Sequence, residues 1–229
     1  MTLRNVSLLV LALVLAAVPL FAGSMQTFMA IVYAKSLAVL GIILLLQAGQ
    51  VSFGHGMFFA TGAYTAAFLG RAMGGGDLIL LIVAGLASSL VLGLAVGLFV
   101  VRYRYIFFGM LNLAFSMVLY SILEKFFHIT GGSDGLRIRR PTLFGQSFER
   151  GEFDTVLYYV TLVMTLGAAI LVWRYLKSPL GQALKAIKTN ETRLEYIGLS
   201  ARSVLLVGYV ISAALCGLGG ASLGIIQGI

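Results

Sequence analysis

A succession of long apolar runs constrains this chain more than any motif does. Crossing a hydrocarbon core of about 30 Å takes roughly 20 predominantly apolar residues as a helix. Asn5–Ala22, Leu78–Val101, Ile106–Leu123, Thr155–Trp173 and Val204–Ile226 carry no charged residue, and Phe28–Leu46 is interrupted only by Lys35. Gly54–Gly70 is shorter and glycine-rich. No period-two alternation persists, which argues against a barrel. The pattern predicts an all-α integral membrane protein: a polytopic bundle of about seven transmembrane helices forming one domain over residues 1–229. Composition agrees, because 10% charged residues cannot cover a water-facing surface of this size.

Arg4, the apolar run 8–15 and Ala22-Gly23-Ser24 have the elements of a cleavable signal. The run is about 18 residues long and is followed at once by a second apolar segment, so an uncleaved first helix is the expectation. Orientation is read from basic residues in the loops. With the N-terminus inside and seven alternating helices, nine Lys and Arg fall inside (Arg4, Arg102, Arg104, Arg174, Lys177, Lys185, Lys188, Arg193, Arg202). Six fall outside: Arg71, Lys125, Arg137, Arg139, Arg140 and Arg150. The net charge of +8 then reflects membrane topology and anionic lipid rather than nucleic acid.

Metal and redox chemistry find little support. Cys216 is the only cysteine, and His55 and His128 lie far apart without ligand spacing. No lysine follows a glycine, so the chain has no phosphate-binding P-loop and no nucleotide hydrolysis by that route.

Two connecting segments carry too much pattern to be linkers. The outer loop 124–154 holds Thr130-Gly131-Gly132-Ser133-Asp134-Gly135, a dense turn signal. It reads either as a solvated hairpin or as an outer docking face or gate. The inner segment 178–202 opens with Ser178-Pro179, an N-cap followed by proline at the first helical position. Leu180, Ala183, Leu184 and Ile187 follow at helical spacing, with Lys185 and Lys188 off the stripe. Asn190 is placed to restart a helix bearing Glu191, Leu194, Glu195 and Ile197, and Gly198 is a stop signal. The stripe is narrow and lacks Trp or Phe, so a groove on a cytoplasmic partner suits it better than a lipid surface.

Candidate pathway residues are few. Residues 47–56, Gln-Ala-Gly-Gln-Val-Ser-Phe-Gly-His-Gly, cannot make a steady helix, because each glycine costs about 1 kcal/mol against alanine. Broken backbone at membrane depth requires protein or a water-filled cavity around it. The segment, with Gln50, Ser52 and His55, therefore reads as a pathway lining or a packed re-entrant turn. His55 fits a satisfied turn histidine better than a proton relay. Lys35 either snorkels to the outer headgroups or meets a substrate carboxylate. Asn112, Ser116 and Tyr120 share a helix face that lines a path or bonds a neighbour. Gly93/Gly97, Gly220/Gly224 and Gly224/Gly228 are spaced for close helix approach.

Five ordered blocks resemble one family. They are residues 48–64 (AGQVSFGH through FFATGAY), Leu113-Ala114-Phe115, the 130–145 stretch (TGGSDGL and RPTLFG), 178–187 (SPLGQALKAI) and Ile211-Ser212-Ala213-Ala214. Together they resemble permease subunits of branched-chain amino-acid ABC importers, a family that also includes urea and short-amide permeases. The resemblance implies a bacterial inner-membrane subunit working by alternating access. It would pair with a second, similar permease, two cytoplasmic ATPases carrying ATP and Mg, and an extracytoplasmic substrate-binding protein. It also implies that residues 178–199 couple to the ATPase, with Ser178, Pro179, Gly181, Ala186, Glu191, Glu195 and Gly198 as the candidates. A stand-alone secondary transporter or channel is the competing reading. Ile43 and Met117 stand where relatives usually carry polar residues, which bears on substrate identity. Relatives continue beyond the Ile211–Ala214 block, so this chain is expected to be short at its C-terminus.

Overall fold

The computed structural model describes residues 15, 19, 25–132, 135–136, 139–146, 148–196 and 198–228. Nine helices are found among them: α1 Gln26–Gln47, α2 Gly56–Ala72, α3 Leu78–Val100, α4 Tyr105–Lys125, α5 Phe127–Thr130, α6 Arg150–Lys177, α7 Pro179–Thr189, α8 Thr192–Tyr196 and α9 Ala201–Gln227. Five of these, α1, α3, α4, α6 and α9, are long and apolar enough to cross a membrane. The helix α2, 17 residues, spans about 26 Å at 1.5 Å per residue, slightly less than a hydrocarbon core. The expected first crossing, Asn5–Ala22, lies almost wholly outside the described residues. The all-α polytopic architecture holds, while the count of seven is not established by these elements.

Several helices exceed their uncharged runs. The clearest is α6, whose 28 residues span about 42 Å and take in Arg150, Glu152 and Asp154 at one end and Arg174 and Lys177 at the other. The expected outer loop 124–154 is thus shorter, bounded by the end of α4 at Lys125 and the start of α6 at Arg150. A helix of this length exceeds a hydrocarbon core of about 30 Å, so if it crosses a membrane its charged end turns reach headgroup depth. Acidic Glu152 in the first turn and basic Arg174 and Lys177 in the last complement the helix dipole.

The bundle is organised around α9, which packs along α1, α2 and α3, while α6 lies against α1 and α7 against α6 and α9. Between helices in lipid there is no hydrophobic driving force, so close van der Waals approach decides which helix occupies the centre. Small residues permit that approach. A Cβ on Gly62 would run into the Gly217 carbonyl, and one on Gly220 into the Phe59 carbonyl. A Cβ on Gly85 would sit 2.6 Å from that of Ala221. Of the paired glycines read from sequence, Gly93 and Gly97 face Ala213 and Tyr209, and Gly220 and Gly224 face Phe59 and Ala63. Gly228 instead caps α9 in the left-handed conformation (φ +68°), with nothing near its Cβ direction.

One end of the bundle, called the lower end, collects residues 48–55, 101–104 and 178–200, tied by Arg104–Glu191 and by Lys188 against Gly49. The upper end collects the turn at 73–77 and the 139–146 stretch. There Leu78 N–H bonds Thr142 O and Thr142 N–H bonds Gly76 O, each at 2.8 Å.

Candidate functional site

The lower half of the bundle contains a buried polar cluster built on the break between α1 and α2. Helix α1 ends at Gln47, and Gly49 (φ +72°) turns the chain so that Gln50 N–H reaches back to Leu45 O at 3.1 Å. The chain then runs to His55, the N-cap of α2. Gly54 is forced here by contact: a Cβ would collide with the Asn112 carbonyl and lie 2.9 Å from the Asn112 Cβ. Gln50, Ser52, His55 and Asn112 are all buried.

Hydrogen-bond geometry assigns the His55 tautomer. Ser212 Oγ lies 2.6 Å from the Gly41 carbonyl and 2.6 Å from His55 Nε2. Its single proton goes to the carbonyl, which can only accept, so Nε2–H must donate to Ser212 Oγ. Nδ1 then accepts from Ser52 Oγ at 2.8 Å, and Ser52 Oγ receives Gly54 N–H at 3.4 Å. His55 is thereby satisfied as a neutral ring, with edge contacts to Phe58 and Tyr209. Asn112 closes the other side, donating to Phe108 O at 2.8 Å and accepting from the Tyr209 hydroxyl. Gln50 Oε1 accepts Tyr105 N–H at 2.9 Å.

Of the six residues read as candidate pathway groups, Gln50, Ser52, His55 and Asn112 are buried in this region. Ser116 stands beside Gly56, 3.9 Å from where its Cβ would be. Lys35 does not join them. It is exposed on a separate face of α1 with Phe28, Val32, Val39, Ile43 and Leu46. Tyr120, expected on the face of Asn112 and Ser116, is 61% exposed and takes no part. The break itself is a packed re-entrant turn in this structure. Sequence reasoning missed Tyr209 and Ser212, although with Cys216 they form a polar series at helical spacing within the apolar stretch 204–221.

At the lower end, Ser178 caps α7 as expected, its Oγ accepting Gly181 N–H at 3.3 Å, with Pro179 in the first turn. The apolar stripe is rotated from the expected one: Gly181, Ala183, Leu184 and Ile187 are buried, and Leu180 is 45% exposed. The stripe also faces inward. Leu184 packs on Gly208 of α9 within the main hydrophobic core, and Ala186 lies against that core, so the stripe is covered by the chain's own bundle rather than left for a partner. Gly181 has no room for a Cβ, which would fall 2.6 Å from Leu176 Cα.

Asn190 caps the end of α7 instead of starting a helix, and α8 begins at Thr192. Gly198 adopts φ +77° after α8, as its stop role requires. Glu191 pairs with Arg104, whereas Glu195 is exposed and Tyr196 is 86% exposed. The surface free to meet another molecule is therefore the face opposite the stripe. Tyr196, which sequence reasoning did not single out, is its most prominent aromatic.

At the upper end, Thr130 Oγ1 bonds Leu123 O at 2.6 Å and receives Gly132 N–H at 3.2 Å. Gly131 and Gly132 take φ +73° and +53°, and Tyr64 donates to Gly132 O at 3.1 Å, anchoring the loop on α2. Ser133 and Asp134 lie outside the described residues. Asp77 caps α3 through Ile79 N–H at 2.9 Å and holds Phe144 N–H at 2.8 Å. A cleft of about 270 Å³ opens beside this loop, lined by Thr27, Arg139, Arg140, Asp154 and Gln227 among others.

Comparison with known proteins supplies the context. Residues 24–229 match the family described as the branched-chain amino acid transport system permease component. The chain is 33% identical over 193 residues to the high-affinity branched-chain amino acid transport system permease protein LivM of Escherichia coli (strain K12). The LivM protein of Salmonella typhimurium matches to the same extent. In each case the alignment covers 75% of this chain and 45% of the relative, so the chain spans about half the length of these curated relatives. No solved structure gives a significant match.

Proposed function

Because this chain belongs to the branched-chain amino acid transport permease family, we propose that it is a membrane-spanning subunit of an ATP-driven importer of branched-chain or similar amino acids. The family match over residues 24–229 carries this reading. In it the lower end faces the cytoplasm of a bacterial inner membrane, the N-terminus lies inside, and the upper loop meets an extracytoplasmic binding protein. A second permease completes the membrane unit. Two ATPases supply hydrolysis of ATP with Mg, and their closure shifts the 178–200 segment to drive alternating access. The α1–α2 break, with Gln50, Ser52, His55, Asn112 and Ser116, opens to line the path in another state of the cycle.

The docking surface is the outward face of α7, α8 and the turn that follows, where Leu180, Glu195, Tyr196 and Leu199 are exposed. The test is mild-detergent purification of the tagged chain from its native membrane with mass spectrometry, alongside ATP-dependent L-leucine uptake. Recovery of an ATPase and a second permease supports the reading. Glu195→Arg and Tyr196→Ala should then lose the ATPase while retaining membrane insertion, with uptake reduced by about tenfold or more, as for removal of an interface anchor. Unchanged ATPase recovery and uptake in both variants would overturn the docking surface.

A further inference from the structure

The lower end contains a continuous linkage between the 178–200 segment and the α1–α2 break. Arg104 lies in the turn between α3 and α4. Its Nη2 donates to Glu191 Oε1 at 2.6 Å and its Nε to Glu191 Oε2 at 3.0 Å, a bidentate pair. Its Nη1 donates to Tyr103 O at 3.1 Å and also to Val101 O. The two side chains are 16% and 37% exposed, so this differs from a solvated surface pair. The next residue, Tyr105, has φ +54°, a conformation that an aromatic L-residue rarely adopts. It is held on one side by the Arg104 pair and on the other by its N–H bond to Gln50 Oε1.

A second contact runs in parallel. The Lys188 stem lies under Gly49, where a Cβ would fall 3.0 Å from Lys188 Cγ. The 178–200 segment therefore grips the 48–50 turn directly through Lys188 and, by way of Arg104 and Tyr105, through Gln50. From Gln50 the chain is three residues from Phe53 and five from His55, whose ring is bonded to Ser212 of the central helix.

We propose that Arg104 is a positioning residue for transport, carrying movement of the 178–200 segment to the α1–α2 break and its His55–Ser212 cluster. The source of that movement rests on the coupling role proposed above. The linkage is reciprocal: whatever opens the break must also displace Glu191.

The test uses Arg104→Gln and Glu191→Gln, which remove the ion pair with little change of size, and the charge swap Arg104→Glu with Glu191→Arg. Two readouts are taken in membrane vesicles. One is L-leucine uptake per ATP hydrolysed. The other is labelling by N-ethylmaleimide of Cys216, the only cysteine, buried one turn from Ser212. Both single variants should keep their membrane level and ATPase recovery while uptake per ATP falls by about tenfold, within the range for coupling-network substitutions. The swap should recover most of that loss. Cys216 should label about threefold faster or more in the single variants, as a loosened segment opens locally more often.

Where the parent chain shows ATP-dependent uptake, a parental uptake-to-ATP ratio in both single variants overturns the linkage. Where the parent shows no such uptake, the importer reading fails instead, and labelling decides. Faster labelling that the swap reverses then sustains the linkage as a mechanical tie, and parental labelling overturns it.

Discussion

Helices α4 and α9 are both apolar enough to cross a membrane, yet they occupy opposite situations. Of the most apolar stretch of α9, 67% is buried, against 17% for α4. Hydropathy places both helices in the bilayer and does not distinguish them further. Side-chain volume does. Where α9 meets its neighbours it presents Gly208, Ala213, Gly217, Gly219, Gly220 and Ala221, and backbones approach to within direct contact. Where α4 turns outward it presents Ile106, Phe107, Met110, Met117, Val118 and Tyr120. With hydrocarbon as the solvent, the helix with the smallest residues becomes the axis, and the bulky helix is left on the perimeter.

The largest effect should come from reversing that distinction at the axis. Gly220→Leu places a side chain where the Phe59 backbone already lies, so α2 and α9 must separate. Overpacking of a close contact costs about 3 kcal/mol or more when backbone cannot yield. The variant should accumulate poorly in membranes and aggregate about 10 °C earlier in detergent, a difference that fluorescence size-exclusion after heating would register. Parental heat resistance would mean that α9 is not the axis.

A smaller loss is expected from the polar cluster that α9 shares with the break. Ser212→Ala removes the acceptor for His55 Nε2–H and the donor to Gly41 O together. The expected destabilisation is about 1–2 kcal/mol, since buried polar groups lose partners but interhelical hydrogen bonds in membranes are individually modest. Ser222→Ala serves as the control on the same helix, because among the described residues Ser222 bonds only within α9, to Leu218 O at 2.8 Å. Equal stabilities for the two variants would show that the cluster adds nothing beyond packing.

The same contrast explains what could be read before the structure. Five of the crossings were legible because hydrocarbon demands long apolar runs, and the break because three glycines in the eight residues 49–56 cannot sustain a helix. The true length of α6 was not, since its first and last turns are charged and an uncharged-run criterion sees only the hydrocarbon portion. The α7 stripe shows how far periodicity reaches. Helical spacing identified a buried face nearly correctly, but spacing does not say what covers that face, and Leu184 meets Gly208 of the same chain. Lys35 could not be placed by its depth alone, because rotation about α1 sets which face it occupies. Tyr209 and Ser212 were hidden for a related reason. Their significance depends on Asn112 and His55, 97 and 157 residues away, meeting them across helix contacts.

The smallest effect on the chain itself should come from the perimeter helix. Met117 and Val118, each 56% exposed, border a shallow groove on α4 with Ser121, Ile122 and Lys125. Replacing either by Trp adds volume where none of the described residues is a neighbour, so the stability of the isolated chain in detergent should change by no more than about 0.5 kcal/mol. If the chain assembles with a second permease as proposed above, the same substitutions divide two environments for this face. Lipid accommodates an indole ring without penalty, whereas a second permease packed on α4 would be displaced by it. Full recovery of the second permease with Met117→Trp and Val118→Trp therefore assigns the groove to lipid, and its loss assigns the groove to the subunit contact. Destabilisation of the isolated chain would break the comparison, because it would require α4 to be packed where its size has left it exposed.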